Sequence, residues 1–251
     1  MIPGCRGTAR IVQFNWPFYA LAAAFPLLAA VVASTRPAEP ASRLLLLPLL
    51  AGSAAAVFWA VASICASWAV YDRSPLMAGR WVGDTLGFTP RSWVVIGAGF
   101  DEMTPVLRRL FPASSGRTFD IYDPAVMTEP SIARARRWAG ALAERADPRR
   151  LPLGDGSVDA VVLPLSAHEL RSHAARRALF VEVGRTLTSK GRVLVVEHLR
   201  DAANFVAFGP GVLHFHSRRS WRRCFDEAGL AVCDEFSITP FVRVFVLARP
   251  T

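Results

Sequence analysis

Side chains able to do chemistry gather in three places in this chain. The densest is EHLRDAANFVAFGPGVLHFHS, Glu197 to Ser217, with three of the chain's five histidines, two carboxylates, an Arg and an Asn. These types suit a metal site, an acid–base pocket or a surface loop. A second group is SAHELR, with Ser166, His168 and Glu169 close together. The third is GAGFDEM, where Gly97 and Gly99 allow a sharp turn and close approach of backbone to a ligand. Two acids follow at useful distances. Asp120 lies 21 residues beyond Gly99, where a carboxylate can accept from ribose hydroxyls, with Asp123 as its competitor. Asp147, just ahead of Leu151-Pro152, can accept from an exocyclic adenine amine.

These groups need rigid elements to hold them. WVVIG, RTFDI, VDAVVL and RVLVVE are continuous apolar runs suited to strands buried on both faces. Between them DEMTPVLRRLF, PSIARARRWAGALAERA and SHAARRALFVEVGRTL carry helical spacing, and Gly191 is the expected turn after the last. LAERA near Leu142 lacks the branched residues that would mark a strand. Alternating strands and helices predict an α/β, Rossmann-like, mostly parallel sheet. AVCDEFSI and FVRVFVLA, separated by TP, predict an antiparallel hairpin at its end. Ligands bind such sheets at the C-terminal strand ends, which is where all three groups fall.

The N-terminal part has a different composition. No charged residue occurs from Ile11 to Thr35 or from Leu44 to Tyr71, and each run exceeds the roughly 20 residues that cross a bilayer. A transmembrane hairpin joined by TRPAEPASR is expected, kinked at Pro26 and Pro48. A cleaved leader is the alternative for the first run. The expected organisation is a membrane anchor over residues 1–71, a connecting segment over 72–91 with Trp81, Leu86 and Phe88 for packing, and a catalytic domain over 92–251. The flanking arginines lean toward a cytoplasmic domain at the cytoplasmic membrane.

Of the 251 residues 52% are apolar, and the net charge of +9 is almost entirely arginine, Lys190 being the only lysine. That charge suits an anionic membrane surface better than nucleic acid, since the arginines lack interleaved aromatics. The four cysteines show no CxxC spacing, so neither a zinc ribbon nor a disulfide framework is expected.

VVIGAGFD, FDIYD, ADPRRLPLGDGSVDAVVLPLSAHEL and LFVEVGRTLTSKGRVLVVEHLR, in that order, resemble the motifs of class I S-adenosylmethionine-dependent methyltransferases. The branch is similar to ubiquinone and menaquinone methyltransferases. The resemblance covers about Ser92 to Ala248 and implies a seven-stranded sheet with its last strand antiparallel. It assigns Gly97, Ala98, Gly99, Asp120, Asp147 and Leu165 to S-adenosylmethionine. The acid that often precedes the first glycine is here Ile96, and the third glycine is Asp101, which is expected to replace that acid.

His168, His198 and His214 are the candidate proton-moving residues, and His168 is the leading base for a hydroxyl acceptor. Glu169, Arg200, Asn204, Phe205 and His216 are expected on the acceptor side. His214 and His216 would share one face of an extended segment and, with His198, offer three imidazoles. Without a carboxylate partner they are read as pocket lining, and no metal is expected. The expected activity is methyl transfer to a lipid-soluble or membrane-presented acceptor. Two alternatives stand beside it: an NAD-dependent oxidoreductase, weakened because the third glycine of its fingerprint falls on Glu102, and a non-catalytic membrane scaffold.

Overall fold

The computed structural model describes residues 5–35, 40–99, 101–137 and 143–250. Part of the expected hairpin loop, Phe100 and residues 138–142 of the second predicted helical run lie outside these.

A short helix α1 (Arg6–Phe14) breaks at Asn15 and is followed by α2 (Trp16–Thr35) and α3 (Pro40–Ser67). Pro26 and Pro48 lie inside the two long helices. Tyr19 Oη lies 3.1 Å from Ser63 Oγ, so the start of α2 meets the end of α3. A π-helical turn (Trp68–Arg73) then leads to α4 (Arg80–Leu86), whose Trp81, Val82 and Leu86 are buried. The chain folds back on itself here: the Asp72 carboxylate accepts from the Gly7 and Thr8 amides, both at 2.8 Å, and so caps α1.

The sheet has seven strands in the order β3-β2-β1-β4-β5-β7-β6. They are β1 (Ser92–Gly97), β2 (Ser115–Asp120), β3 (Glu144–Arg145), β4 (Val158–Pro164), β5 (Leu187–Glu197), β6 (Ala231–Thr239) and β7 (Val242–Ala248). All pairs are parallel except those of β7 with β5 and with β6. The helices of this part are α5 (Met103–Leu110), α6 (Pro130–Arg136), α7 (His173–Thr186), α8 (Ala202–Phe208) and α9 (Arg218–Glu227).

The continuous apolar runs arise because both faces of the sheet are covered. Val94 and Ile96 join Phe180, Trp221 and Phe225 on one face, while Trp93 and Val95 join Val82, Val106 and Leu107 on the other. Each such side chain contributes about 1.5–3 kcal/mol on burial. The indole of Trp93 lies across Gly116, where a Cβ would come within 2.0 Å of the ring, so only glycine fits beneath it.

Three local expectations are corrected. The helix predicted over Pro130–Ala146 stops at Arg136, and its last residues supply the two-residue strand β3. Gly191 is not a turn after α7, because β5 begins at Leu187 and bulges between the pairings Val158–Leu187 and Ala160–Arg192. The segment holding His214 and His216 is not extended: α8 runs into a 3₁₀ turn (Gly209–His214), which sends the two imidazoles to different neighbours.

Candidate active site

A cavity of about 260 Å³ opens at the C-terminal ends of β1 and β4 and at the start of the segment after β5. Gly97, Ala98, Gly99 and Asp101 line one wall, Leu165, His168 and Glu169 another, and His198 a third. The roof is N-terminal: Ile11 and Phe14 of α1, Asn15, and Tyr71. Arg10 of α1 closes this roof onto the domain by an ion pair of 2.8 Å with Glu102, and Arg134 of α6 donates to the Phe14 carbonyl.

The glycine turn fits a ligand held by backbone. A Cβ built on Gly97 meets nothing within 4 Å, and one on Gly99 meets only Ile132 Cγ2 at 4.0 Å, so the space above both belongs to the cavity. Opposite them Leu165 has φ 49°, the only positive φ outside glycine among the described residues. That left-handed conformation costs a residue with a side chain roughly 1–2 kcal/mol, and it bends the chain from β4 into the 3₁₀ turn (Ala167–Glu169) that carries His168 and Glu169.

The acids are less available than their spacing implies. Asp120 ends β2, but Arg136 of α6 grips both its oxygens, at 2.9 and 2.6 Å, while also donating to the Ala98 carbonyl. Oδ1 further accepts from the Tyr122 amide at 3.0 Å. A ribose can take both oxygens only after Arg136 leaves. For a partly exposed pair that displacement costs about 1 kcal/mol, so Arg136→Met is expected to tighten S-adenosylhomocysteine binding by about fivefold in calorimetry. Weaker binding would instead make Arg136 a cofactor contact.

Asp101 lines the cavity, but its Oδ1 accepts from the Met103 and Thr104 amides at 3.0 Å and so caps α5. Asp147 lies outside the cavity lining, paired with Arg149 at 3.1 Å and held in the ionised form by that hydrogen bond. An adenine contact from Asp147 requires that pair to open.

The histidines separate into different environments. His168 is buried, with Nδ1 at 2.6 Å from Glu197 Oε2 and Nε2 at 3.3 Å from Glu169 Oε1. Burial alone would lower its pKa, but Glu197 and Glu169 outweigh burial and raise it, so this imidazole carries its charge at neutral pH. A charged His168 holds and orients; it does not accept a proton. His198 is the opposite case. Burial pushes it down to about 4, and Nδ1 lies 2.8 Å from the Phe241 carbonyl, which makes Nδ1 the donor and Nε2 the acceptor nitrogen. It stacks on Phe215 with ring centroids 5.0 Å apart.

His198 therefore links stability to pH. Its folded value lies below the ordinary imidazole value of about 6.5, so the stabilisation is complete above pH ~6.5 and is lost as pH falls toward 4. An upper bound is about 3 kcal/mol. Thermal unfolding in detergent is expected to lose midpoint across that window, and His198→Gln to flatten the loss.

The remaining predicted residues lie around rather than in the cavity. His214 faces Glu169 at 3.5 Å through Nε2 and Glu129 at 3.4 Å through Nδ1. His216 accepts from Arg176 at 2.8 Å and is driven down to about 3, first by burial and then by that guanidinium. Arg200 donates to the Leu213 and Phe215 carbonyls and fastens the segment's return. Asn204 is buried beside Asp201, with Oδ1 unpartnered. Phe205 packs edge-on against Trp59 of α3 at 5.9 Å, and the same indole covers Gly209, where a Cβ would come within 2.5 Å. The segment after β5 is thus seated on the second apolar helix.

Sequence reasoning left out Glu197, Arg136 and Tyr71. Glu197 follows the apolar run Val193–Val196 beside the end of β4, which is a legible signal, whereas the reach of Arg136 across space has no local signature.

Residues 94–195, about two-fifths of the chain, match the family described as "Methyltransferase domain". No curated protein matches in sequence. Among solved structures, a SAM-dependent methyltransferase from Aquifex aeolicus shares 14% identity, with 69% of this chain and 91% of that one covered and a TM-score of 0.53. The PH0226 protein from Pyrococcus horikoshii OT3 shares 12%, with 70% and 89% covered and a TM-score of 0.53. Geranyl diphosphate C-methyltransferase from Streptomyces coelicolor A3(2), solved with Mg2+, geranyl diphosphate and S-adenosyl-L-homocysteine, shares 16%, with 69% and 78% covered and a TM-score of 0.50. A match to the methyltransferase domain over β1 to β5, a glycine turn opening into a cavity and the full seven-stranded sheet give this chain the fold of class I S-adenosylmethionine-dependent methyltransferases.

Proposed function

We propose that α2 and α3 hold this enzyme in a membrane, its catalytic domain on the cytoplasmic side, and that it methylates an acceptor dissolved in or presented at the bilayer. The observation that carries the reading is the shared wall: Phe14 and Asn15, just before α2, and Tyr71, in the π-helical turn just after α3, roof the same cavity that the glycine turn floors. An apolar acceptor leaving the bilayer along these helices would meet the cavity without crossing water.

Two features support membrane placement. The helices Trp16–Thr35 and Leu46–Arg73 are long and apolar enough to cross a bilayer, yet within their most apolar stretches only 11% and 17% of the residues are buried. A core helix of a soluble protein hides its apolar surface, whereas these leave Leu21, Leu27, Leu44 and Leu47 more than 60% exposed. Arg6, Arg10, Arg73 and Arg80 flank the helices on the domain side against Arg36 and Arg43 in the connection, the bias expected of a cytoplasmic face.

Bound S-adenosylmethionine supplies an electrophilic methyl. The chain's own residues position and dry the site: the backbone at Gly97 to Gly99 approaches the cofactor, His168 orients the adjoining carboxylates, and Nε2 of His198 is the proton acceptor for a hydroxyl.

The test is full-length enzyme in lipid nanodiscs containing membrane extract, supplied with labelled S-adenosylmethionine. Label is expected in the organic phase. Label confined to water-soluble product would remove the membrane acceptor.

A further inference from the structure

We infer that His168, Glu169 and His214 form a binding site for a divalent transition-metal ion of the zinc class, whose open position faces the cavity and takes an oxygen of the acceptor. The three residues come from two separate segments, the turn after β4 and the 3₁₀ turn after α8. Their ligand atoms all lie within 4.8 Å of one another.

Two of the spacings match a coordination shell, one to each oxygen of Glu169. Glu169 Oε1 is 3.3 Å from His168 Nε2, and Oε2 is 3.5 Å from His214 Nε2. Ligands held at about 2.0–2.2 Å around a tetrahedral ion lie roughly 3.3–3.6 Å apart. Glu169 is 9% exposed, and its buried Oε2 has no hydrogen-bond partner. An acceptor atom left so inside a protein costs free energy unless something else meets it.

The surrounding groups repeat the same logic. Each imidazole turns Nε2 toward Glu169 and Nδ1 toward another carboxylate, Glu197 for His168 at 2.6 Å and Glu129 for His214 at 3.4 Å. A carboxylate behind each ligating histidine is the usual way to fix its tautomer and raise its donor strength. Hydrogen bonding of the two rings to Glu169 is the competing explanation, but it leaves Oε2 without a partner in hydrogen-bonding geometry. An ion in place of the ring protons at Nε2 would meet that oxygen, and the charged form of His168 is then the metal-free state.

Two imidazoles and one carboxylate leave a position open, and His168 and Glu169 line the cavity. An oxygen ligand there would lose its proton to solvent more readily than in water. The inference rests on the methyl-transfer reading and narrows its acceptor to hydroxyl, phenol or enol oxygen.

The test uses full-length enzyme in detergent, stripped with chelator and titrated with Zn2+ or Co2+. One ion per chain is expected by calorimetry, with a higher unfolding midpoint and visible Co2+ bands free of thiolate charge transfer. His214→Gln and Glu169→Gln, confirmed folded by circular dichroism, should lose all three signals, and Glu197→Gln should weaken binding about 10- to 100-fold. Undiminished binding in the ligand variants, thiolate-coloured Co2+, or no ion and no midpoint shift in the unmutated enzyme would each overturn the site. Full-rate lipid labelling by stripped enzyme would overturn the ion's role and leave methyl transfer standing, while ion binding without lipid labelling would do the reverse.

Discussion

Gly97→Val is expected to abolish cofactor binding while leaving the fold intact. The position ends β1 with ordinary backbone: Gly97 is not among the glycines with positive φ. A Cβ there meets nothing within 4 Å. Valine is also a favourable strand residue, so the unfolding midpoint should stay within about 2 °C. Its two methyl groups would occupy the space through which the cofactor reaches the backbone, and affinity should fall more than about 100-fold, or roughly 3 kcal/mol. Calorimetry with S-adenosylhomocysteine beside a melting curve separates the two effects. Gly116→Val is the informative contrast, because the Trp93 ring fills its Cβ position and the fold should be damaged first. Normal affinity in Gly97→Val would move the cofactor away from the glycine turn.

The sheet was legible because two-sided burial writes itself as unbroken apolar runs, as in WVVIG and VDAVVL. β3 was not, since two residues of Glu and Arg carry no such signature and are recruited by pairing with Phe119 and Asp120. The bulge in β5 hid Gly191 for a related reason: a turn residue and a bulge residue look alike when only one strand is in view. His214 and His216 were placed on one face by alternation, a rule that holds only in extended chain. Here the Gly-Pro-Gly stretch tightens into a 3₁₀ turn and separates them.

The site divides the same way. Positions fixed by strand ends, Gly97, Leu165, His168 and His198, were legible because topology alone brings the C-terminal ends of neighbouring parallel strands together. Contacts made by long side chains were not. Nothing near Asp120 in sequence announces that Arg136, sixteen residues on, takes up its carboxylate. The same arginine alters what the position can do, since an acid reserved for ribose by its spacing is here an ion-pair partner.

The pair of Glu197 and His168 is the place where breaking one contact should cost most. Glu197 is fully buried and accepts twice from one residue, from the His168 amide at 3.2 Å and from its Nδ1 at 2.6 Å. Glu197→Gln keeps the shape but turns an amide NH2 toward one of those two donors and removes the charge that matches the imidazolium. Removing one partner of a buried pair costs about 3–5 kcal/mol. His168→Gln alone leaves the carboxylate buried with a single backbone donor and should cost a similar amount. Two neutral amides can pair with each other, so the double variant His168→Gln/Glu197→Gln is expected to cost less than the sum of the singles by about 2 kcal/mol. Denaturant unfolding of the four proteins gives that coupling directly. Turnover should fall in all three variants, because His168 lines the cavity, whereas cofactor affinity, set at the glycine turn, should change little. Additive losses below about 1 kcal/mol each would show that the pair is neither charged nor coupled, and would remove the basis for treating His168 as a fixed cation.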